Sequence, residues 1–461
     1  MKTLIIYPCL RPERPHRNFP IGLAYIASAI ERAGYKFDIL DIEAHRYTAS
    51  GLEDILKKKE FDVVAFGTLV TGYKIAKFLS RLIRDINKDA VIIAGNSVAS
   101  SIPEVLLSKT EVDIAVMGEG DITIVELLDA IERNRPLEEV KGIYFKRNGK
   151  IISTPKRQVI PEINRIPIPN WDIFDMQVYV NEAIHDIAEP YPIPKESIRA
   201  FVMNTARGCP FHCTFCYHVF RKDKYRYRTP ESILSEIVLL QKKYGINYIN
   251  FYDELTFFSK KQANEFVDKL LESGLKFFWN ADVRANLFTE DDIEILKKFK
   301  KAGCIGLGYS LESGYPDILK SMNKKLVVED FIRQKKALDL VNIKTFTSIV
   351  LGYPQETPET LKQTFDICYE LDVYPSVGYL LPQPGTPMYE LAKKNGLIED
   401  EEEYLLGLGD RQDLRINLTN MPDDVFQSEV KKHLKRIADK LSLNLSEERL
   451  IKTGKTVMSK K

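Results

Sequence analysis

Three cysteines at the spacing Cys209-x3-Cys213-x2-Cys216 lie within the stretch Arg207-Gly208-Cys209-Pro210-Phe211-His212-Cys213-Thr214-Phe215-Cys216-Tyr217-His218. Thiolates this close together on one loop suit a soft metal centre. Three of them with no nearby fourth suit an iron–sulfur cluster that keeps one iron free of protein ligands. Joined by His212 or His218, the same cysteines would also make a tetrahedral zinc site, so the triplet alone leaves two chemistries open. The remaining cysteines, Cys9, Cys304 and Cys368, are widely separated and do not read as a disulfide framework. A reducing, cytoplasmic setting is expected.

A loop of this kind needs a rigid element before it, and the apolar run Phe201-Val202-Met203 supplies a strand. From about residue 200, strand-like runs at 201–205, 248–252, 276–279, 305–310, 344–351 and 376–381 alternate with helix-period segments at 230–243, 260–273, 290–302, 328–340 and 358–370. Such alternation, opening with the cysteine loop, predicts a full or partial (β/α)6 barrel with its working residues at the C-terminal strand ends.

Residues 1 to 140 carry the same rhythm in shorter units. Strand-like runs at 4–7, 37–41, 63–67, 90–95 and 113–117 alternate with helix patterns at 21–33, 52–59, 73–86, 103–107 and 122–133. This predicts a doubly wound, flavodoxin-like parallel sheet with any ligand at the carboxyl ends of its strands. The loops there, 68–72, 95–101 and 118–121, are rich in Gly, Ser, Thr and Asn. Small polar residues allow close approach of a broad, flat ligand, although ordinary short turns look alike. Neither Gly-x-Gly-x-x-Gly after the first strand nor Gly-x4-Gly-Lys-Ser/Thr is present, which disfavours a nucleotide.

Between the halves, 142–146 and 150–154 around Asn148-Gly149 read as a hairpin. The proline-dense stretches 166–171 and 189–194 read as a semi-rigid connector. The expected organisation is an α/β domain over 1–140, hairpin and linker over 141–196, barrel over 197–390 and a helical C-terminal region over 391–461. Within the last, Glu399-Asp400-Glu401-Glu402-Glu403 reads as a solvated run, 426–441 as a helix packed on the barrel, and the Lys-rich end as frayed.

A length of 461 residues calls for two or three domains. The near balance of 66 basic and 65 acidic residues gives no case for nucleic acid. The longest apolar runs fall short of the ~20 residues a membrane helix needs, so no membrane span is expected. The apolar N-terminus is too short for a signal sequence and reads as the first strand.

With these features in place, the chain resembles the radical S-adenosylmethionine (SAM) enzymes, in the subgroup whose N-terminal domain is similar to a cobalamin-binding module. The cysteine spacing is that family's hallmark, and Phe215 fills its aromatic position before the last cysteine. Further matches follow strand by strand: Tyr252-Asp253-Glu254; Asn280-Ala281-Asp282-Val283-Arg284; Gly308-Tyr309-Ser310-Leu311-Glu312-Ser313-Gly314, followed by Leu319-Lys320-x-Met322-Asn323-Lys324; and Leu351-Gly352-Tyr353-Pro354-Gln355-Glu356-Thr357. Pro382-Gln383-Pro384-Gly385-Thr386-Pro387-Met388-Tyr389 follows the sixth. In the first domain, Phe19-Pro20-Ile21-Gly22-Leu23-Ala24-Tyr25-Ile26-Ala27 and Val116-Met117-Gly118-Glu119-Gly120-Asp121 belong to the same pattern. The resemblance covers roughly residues 1 to 430.

It implies a 4Fe–4S cluster on Cys209, Cys213 and Cys216, with SAM on the open iron. Asp253 or Glu254 would orient the SAM amino group, Arg284 its carboxylate, and Ser310 or Glu312 its ribose. Phe215 and the end of the fifth strand at Gly352 would lie near the adenine. Cobalamin would rest on loops containing Thr68, Ser97, Gly118 and Gly120. The Asp-x-His-x-x-Gly of His-ligated cobalamin proteins is absent; the nearest match is Asp41-Ile42-Glu43-Ala44-His45. Gly95-Asn96-Ser97-Val98 stands where some relatives carry Gly-Gly-x-His.

The implied reaction is methylation of an unactivated carbon, or of phosphinate phosphorus, in a small molecule, through a 5′-deoxyadenosyl radical and methylcobalamin. A flavodoxin- or ferredoxin-type donor would supply electrons. Cyclisation or rearrangement, a cobalamin-free radical enzyme and a cobalamin sensor are the alternatives. A methylthiotransferase would need three further cysteines in the first domain, which offers only Cys9. The aromatic loops 374–388 and 404–409 would suit a bulky, partly hydrophobic substrate, or serve as core beneath the C-terminal helices.

Overall fold

The computed structural model describes residues 1–14, 17–187 and 189–452. Its first sheet contains β1 (Thr3–Tyr7), β2 (Phe37–Asp41), β3 (Val63–Gly67), β4 (Val91–Gly95) and β5 (Ile114–Val116), followed by β6 (Ile143–Arg147) and β7 (Lys150–Ser153). The order is β2-β1-β3-β4-β5-β6-β7, with the first five strands parallel. Runs such as Val63-Val64-Ala65-Phe66 are buried because helices cover both faces. Helices Ile21–Arg32 and Gly120–Glu132 pack on one face, and Tyr73–Ile86 and Pro103–Lys109 on the other.

The hairpin expected in the linker belongs instead to this sheet. β6 pairs antiparallel with β5, and β7 with β6. Asn148 and Gly149 both take the left-handed backbone that a tight two-residue hairpin turn requires. Ile143 and Phe145 are buried against the sheet, which closes the otherwise bare β5 edge. The boundary expected at 140 therefore falls inside one continuous sheet.

The second half is the expected partial barrel. Its strands are β8 (Ala200–Met203), β9 (Ala206–Arg207), β10 (Arg226–Tyr227), β11 (Tyr248–Phe251), β12 (Phe278–Asp282), β13 (Cys304–Gly308), β14 (Lys344–Phe346), β15 (Ser348–Leu351) and β16 (Ser376–Tyr379). A parallel sheet runs β14-β13-β12-β11-β8, and β15-β16 continue the curve. β14 and β15 are one strand broken at Thr347, where pairing passes from β13 to β16. The third strand lies later than the expected 276–279. Its end carries Asn280, which hydrogen-bonds to Tyr248 and Asn250 across the sheet, so a polar interior hid it from an apolar pattern.

The connector is a packed wedge. The Phe19 ring lies 5.5, 5.3, 5.0 and 4.8 Å from Trp171, Phe174, Tyr179 and Phe201, joining the first domain, the connector and the barrel. Helix Asp423–Lys440 buries Phe426, Val430 and Leu434 in the barrel core. The acidic run expected as solvated surface is partly engaged. Glu402 accepts from the Tyr73 hydroxyl at 3.0 Å and pairs with Lys77, whose proximity holds its carboxyl below the usual range. The Lys-rich end, 453–461, lies outside the described residues. Among the described residues no helix is long and apolar enough to cross a membrane.

Candidate active site

The cysteine loop leaves β9 through Gly208, whose φ of +87° no ordinary side chain favours. Cys213 is buried, Cys209 and Cys216 are half-buried, and all three are free. Arg221 shapes the loop by donating to the carbonyl of Cys213 at 2.9 Å and to that of Cys216. Thr214 anchors it from the other side, donating to the Ser321 carbonyl at 2.9 Å. The Cys216 thiol is pushed up to about 12, first by burial and then by its two neighbours Cys213 and Cys209. Burial also raises Cys209, while Arg284 and Lys324 pull it down. Burial and the neighbouring thiols thus disfavour thiolate at Cys209 and Cys216, and a bound cationic metal would favour it.

That donor set fits a cluster with three protein-held irons better than zinc. Among the described residues no three His, Cys, Asp or Glu side chains close around a point as a single-ion site does. His218 is buried with both ring nitrogens unpartnered. Burial holds it down to about 4, with Arg221, His212 and Asp223 acting on it and no cysteine among them. His212 is exposed.

The two carboxylates expected near the SAM amino group have different jobs. Asp253 is buried and accepts from the N–H of Thr205 (2.8 Å) and of Ala206 (3.0 Å), the Thr205 hydroxyl (2.7 Å) and the Asn204 amide (3.2 Å). Its oxygens are used up in bracing the turn between β8 and β9. Glu254 is exposed and, among the described residues, accepts the Gly208 N–H at 3.4 Å on Oε2. Surrounding protein nevertheless crowds this concave wall enough to raise its pKa. Glu254 is the carboxylate with capacity to spare.

Arg284 stacks on the Phe211 ring, 3.6 Å from guanidinium carbon to centroid, and donates to the carbonyls of Lys324 and Lys325. Its Nε is buried and unpartnered. Ser310 and Ser348 share a 2.8 Å hydrogen bond. Glu312 is buried, pairs with Lys324 at 2.6 Å, and keeps Oε2 unpartnered. Phe215 meets Tyr353 edge-on at 6.5 Å. Gly352 has a φ of +102° and donates its N–H to Glu356 at 3.3 Å. Orphaned buried atoms on Arg284 and Glu312, and the exposed carboxylate of Glu254, are groups that fit an amino-acid-plus-ribose ligand.

At the carboxyl end of the first sheet, Gly67 and Gly95 are register partners, so the floor there carries no side chains. Thr68 is buried and, among the described residues, its hydroxyl has no partner. Ser97 Oγ accepts from the Val70 N–H at 2.8 Å, and Ser100 Oγ from the Gly118 N–H at 3.1 Å, tying the three loops together. Gly118 has a φ of +71° and open space beside its Cα, as a ligand-facing turn needs. Gly120 instead lies against Ile26, where a Cβ would come within 2.8 Å of Cδ1, so helix packing explains it. Leu69 and Ile122 are 45% and 43% exposed near the same strand ends. A bare floor, an orphan hydroxyl and exposed apolar groups fit a planar corrin. His45 is exposed and beside Tyr47, at the end of the short helix Ile42–His45 that follows β2.

Sequence reasoning passed over Glu119, Asp121, Arg207, Lys324 and Glu356 as individual participants. Each stood inside a quoted motif, but their partners are distant in the chain; Arg207 reaches Glu119 and Asp121 across 88 and 86 residues. The aromatic loop 374–388 proves to be core, with Tyr374, Tyr379 and Leu380 buried.

Comparison with known proteins agrees with this layout. The Radical SAM superfamily model matches residues 203–368, and the B12 binding domain model residues 10–128. An uncharacterized methyltransferase of Pyrococcus horikoshii is 30% identical over 382 residues, covering 82% of this chain and 79% of the relative. The anaerobic magnesium-protoporphyrin IX monomethyl ester cyclase of Cereibacter sphaeroides is 26% identical over 396 residues, covering 84% of this chain but only 62% of the cyclase. The radical S-adenosylmethionine methyltransferase TsrM from Kitasatospora setae, solved with cobalamin and a [4Fe-4S] cluster, superposes with a TM-score of 0.69 at 19% identity, over 86% of this chain and 78% of that one. The three-thiol loop at the mouth of a partial barrel, set behind a B12-type sheet, thus places this chain in the radical SAM superfamily, among its members with an N-terminal B12-binding domain.

Proposed function

We propose that the protein is a cobalamin-dependent radical SAM methyltransferase acting on an unactivated carbon (or phosphinate phosphorus) of a small molecule. Residues 197–390 would hold the cluster and SAM, and the first sheet would hold cobalamin. One observation carries the reading: a free three-thiol loop and an uncommitted carboxylate, Glu254, share one barrel mouth and are joined at Gly208. When bound, cluster and SAM supply a one-electron route to a carbon radical, and cobalamin a transferable methyl group. The chain's own part is placement. Cys209, Cys213 and Cys216 would fix three irons, Glu254 would orient the SAM amino group, Arg284 its carboxylate, and the free Glu312 oxygen its ribose. Thr68, Ser97 and Gly118 would line the corrin. A flavodoxin- or ferredoxin-type protein would deliver the electron, in a reducing cytoplasm that fits six free cysteines.

The test is anaerobic reconstitution with iron, sulfide and cobalamin, followed by SAM carrying a labelled methyl group. Iron bound in cluster proportion, 5′-deoxyadenosine release and label in a product are expected. Full iron content and SAM cleavage after replacing all three cysteines by Ala would overturn the reading. A cyclase remains the second reading because of the Cereibacter sphaeroides relative. It is distinguished by 5′-deoxyadenosine release with no label in the product.

A further inference from the structure

The cysteine loop is fastened at its start to the first domain. Arg207, two positions before Cys209, donates through Nη1 to Glu119 at 2.8 Å and to Asp121 at 3.0 Å, and through Nη2 to Asp121 at 3.1 Å. Its guanidinium also lies 5.1 Å over the ring of Tyr25, from the first helix. Arg226, on the strand paired with β9, donates to the same Glu119 oxygen at 2.7 Å. The Glu119 side chain is only 3% exposed, so this network is shielded from water. At the other end, Tyr217 directly follows Cys216. Its ring lies against Gly385, where a Cβ would come within 2.9 Å. Within the first domain, Ser100 Oγ accepts from the Gly118 N–H at 3.1 Å, joining the β4 and β5 loops.

The start of the cysteine loop is therefore fastened to the β5 loop, and through it to the β4 loop. Those loops form the floor assigned above to cobalamin. Buried bidentate pairs have discrete geometries, so the cysteine loop and the corrin floor keep their order together or lose it together. A ligand that orders either loop lowers the cost of ordering the other, and such a coupling is reciprocal. We propose that Arg207 is a positioning residue that links the two cofactor sites, so that cluster assembly tightens cobalamin binding and cobalamin binding protects the cluster loop. The inference rests on the functional reading above and goes beyond it.

The test uses the full chain with and without its reconstituted cluster, titrated with hydroxocobalamin by absorbance. Wild type should bind about 10-fold more tightly when the cluster is present. Arg207→Met should bring the ratio below about 3-fold, and Asp121→Asn, which keeps the shape and removes the charge that Arg207 pairs with, should do the same. Hydrogen exchange at 97–101 and 118–121 should slow on cluster assembly in wild type and not in these variants. If Arg207→Met fails to fold, Asp121→Asn decides the matter. Lys156→Ala removes only the surface pair with Asp223, at 2.7 Å, and should keep the wild-type ratio. Equal affinity with and without cluster in wild type, or an unchanged ratio in the variants, overturns the coupling alone. A ratio lost equally in Lys156→Ala overturns the role of Arg207. No cobalamin uptake by any form overturns the functional reading itself, and the linkage with it.

Discussion

Lys324 and Glu312 form a buried ion pair at the barrel mouth, with Nζ 2.6 Å from Oε1 and side chains 13% and 5% exposed. Glu312 takes this position with a φ of +62°, a left-handed backbone that costs a non-glycine residue roughly 1–3 kcal/mol. A parallel bridge to Ile349 holds it there. Glu312 thus works at once as the partner of Lys324 and, through its unpartnered Oε2, as a candidate ligand contact. Glu312→Ala leaves a buried lysine without its counterion and should destabilise the chain by about 3–5 kcal/mol. The double variant Glu312→Ala/Lys324→Met should recover most of that loss while SAM affinity stays low. Denaturant midpoints and SAM titrations check the two halves separately.

Asp253 and Glu254 should separate cleanly on mutation. Asp253 braces the β8–β9 turn with four hydrogen bonds, so Asp253→Ala strands buried donors and should lower the melting temperature, at about 1–3 kcal/mol for each group left unsatisfied. Glu254→Gln should leave melting nearly unchanged and weaken SAM binding by about 10- to 100-fold, the worth of one charge-assisted hydrogen bond. The reverse pattern would assign the amino-group contact to Asp253.

Glu356 gives a pH prediction. It is buried, accepts from Thr360 Oγ1 at 2.6 Å and from the Gly352 N–H at 3.3 Å, and burial pushes its carboxyl up to about 7 from an ordinary 4.5. Between those values the folded chain keeps a proton that the unfolded chain has released, so this residue's contribution to stability falls as pH rises through the window. Glu356→Gln removes that slope. Its stability relative to wild type should improve by about 3 kcal/mol between pH 4.5 and pH 8. Urea midpoints of the two proteins at pH 5 and pH 8 measure it.

Much of this was legible in the chain itself, for physical reasons. The parallel strands are buried on both faces and so appear as short apolar runs, and helices such as Tyr73–Ile86 and Lys260–Ser273 match their expected ranges. The cysteine triplet is legible because its ligands are local. What escaped depends on pairing at a distance. The hairpin at 143–153 was visible as a hairpin, but nothing local says that β5 needs an edge partner. Gly120 looked like a ligand-facing glycine, yet it is small because Ile26 lies against it. Glu402 looked like one of five solvated acids until the fold brought Tyr73 and Lys77 to it.

The corrin floor can be tested without disturbing the fold. Gly95 has φ −131° and ψ −169°, ordinary extended backbone, and a Cβ built on it meets nothing closer than the Phe66 carbonyl at 3.9 Å. A side chain there faces neither backbone strain nor collision with the sheet, unlike at Gly303, where a Cβ would lie 2.1 Å from the Phe277 carbonyl. Gly95→Leu should therefore fold with a melting temperature close to wild type, while its isobutyl group occupies the bare patch shared with Gly67. Cobalamin affinity should fall by more than about 10-fold, since a planar ligand cannot settle on a floor raised by a leucine. Iron content after reconstitution should remain that of wild type, because the cysteine loop does not touch this position. Retention of full cobalamin affinity in a folded Gly95→Leu protein would move the corrin off this sheet end.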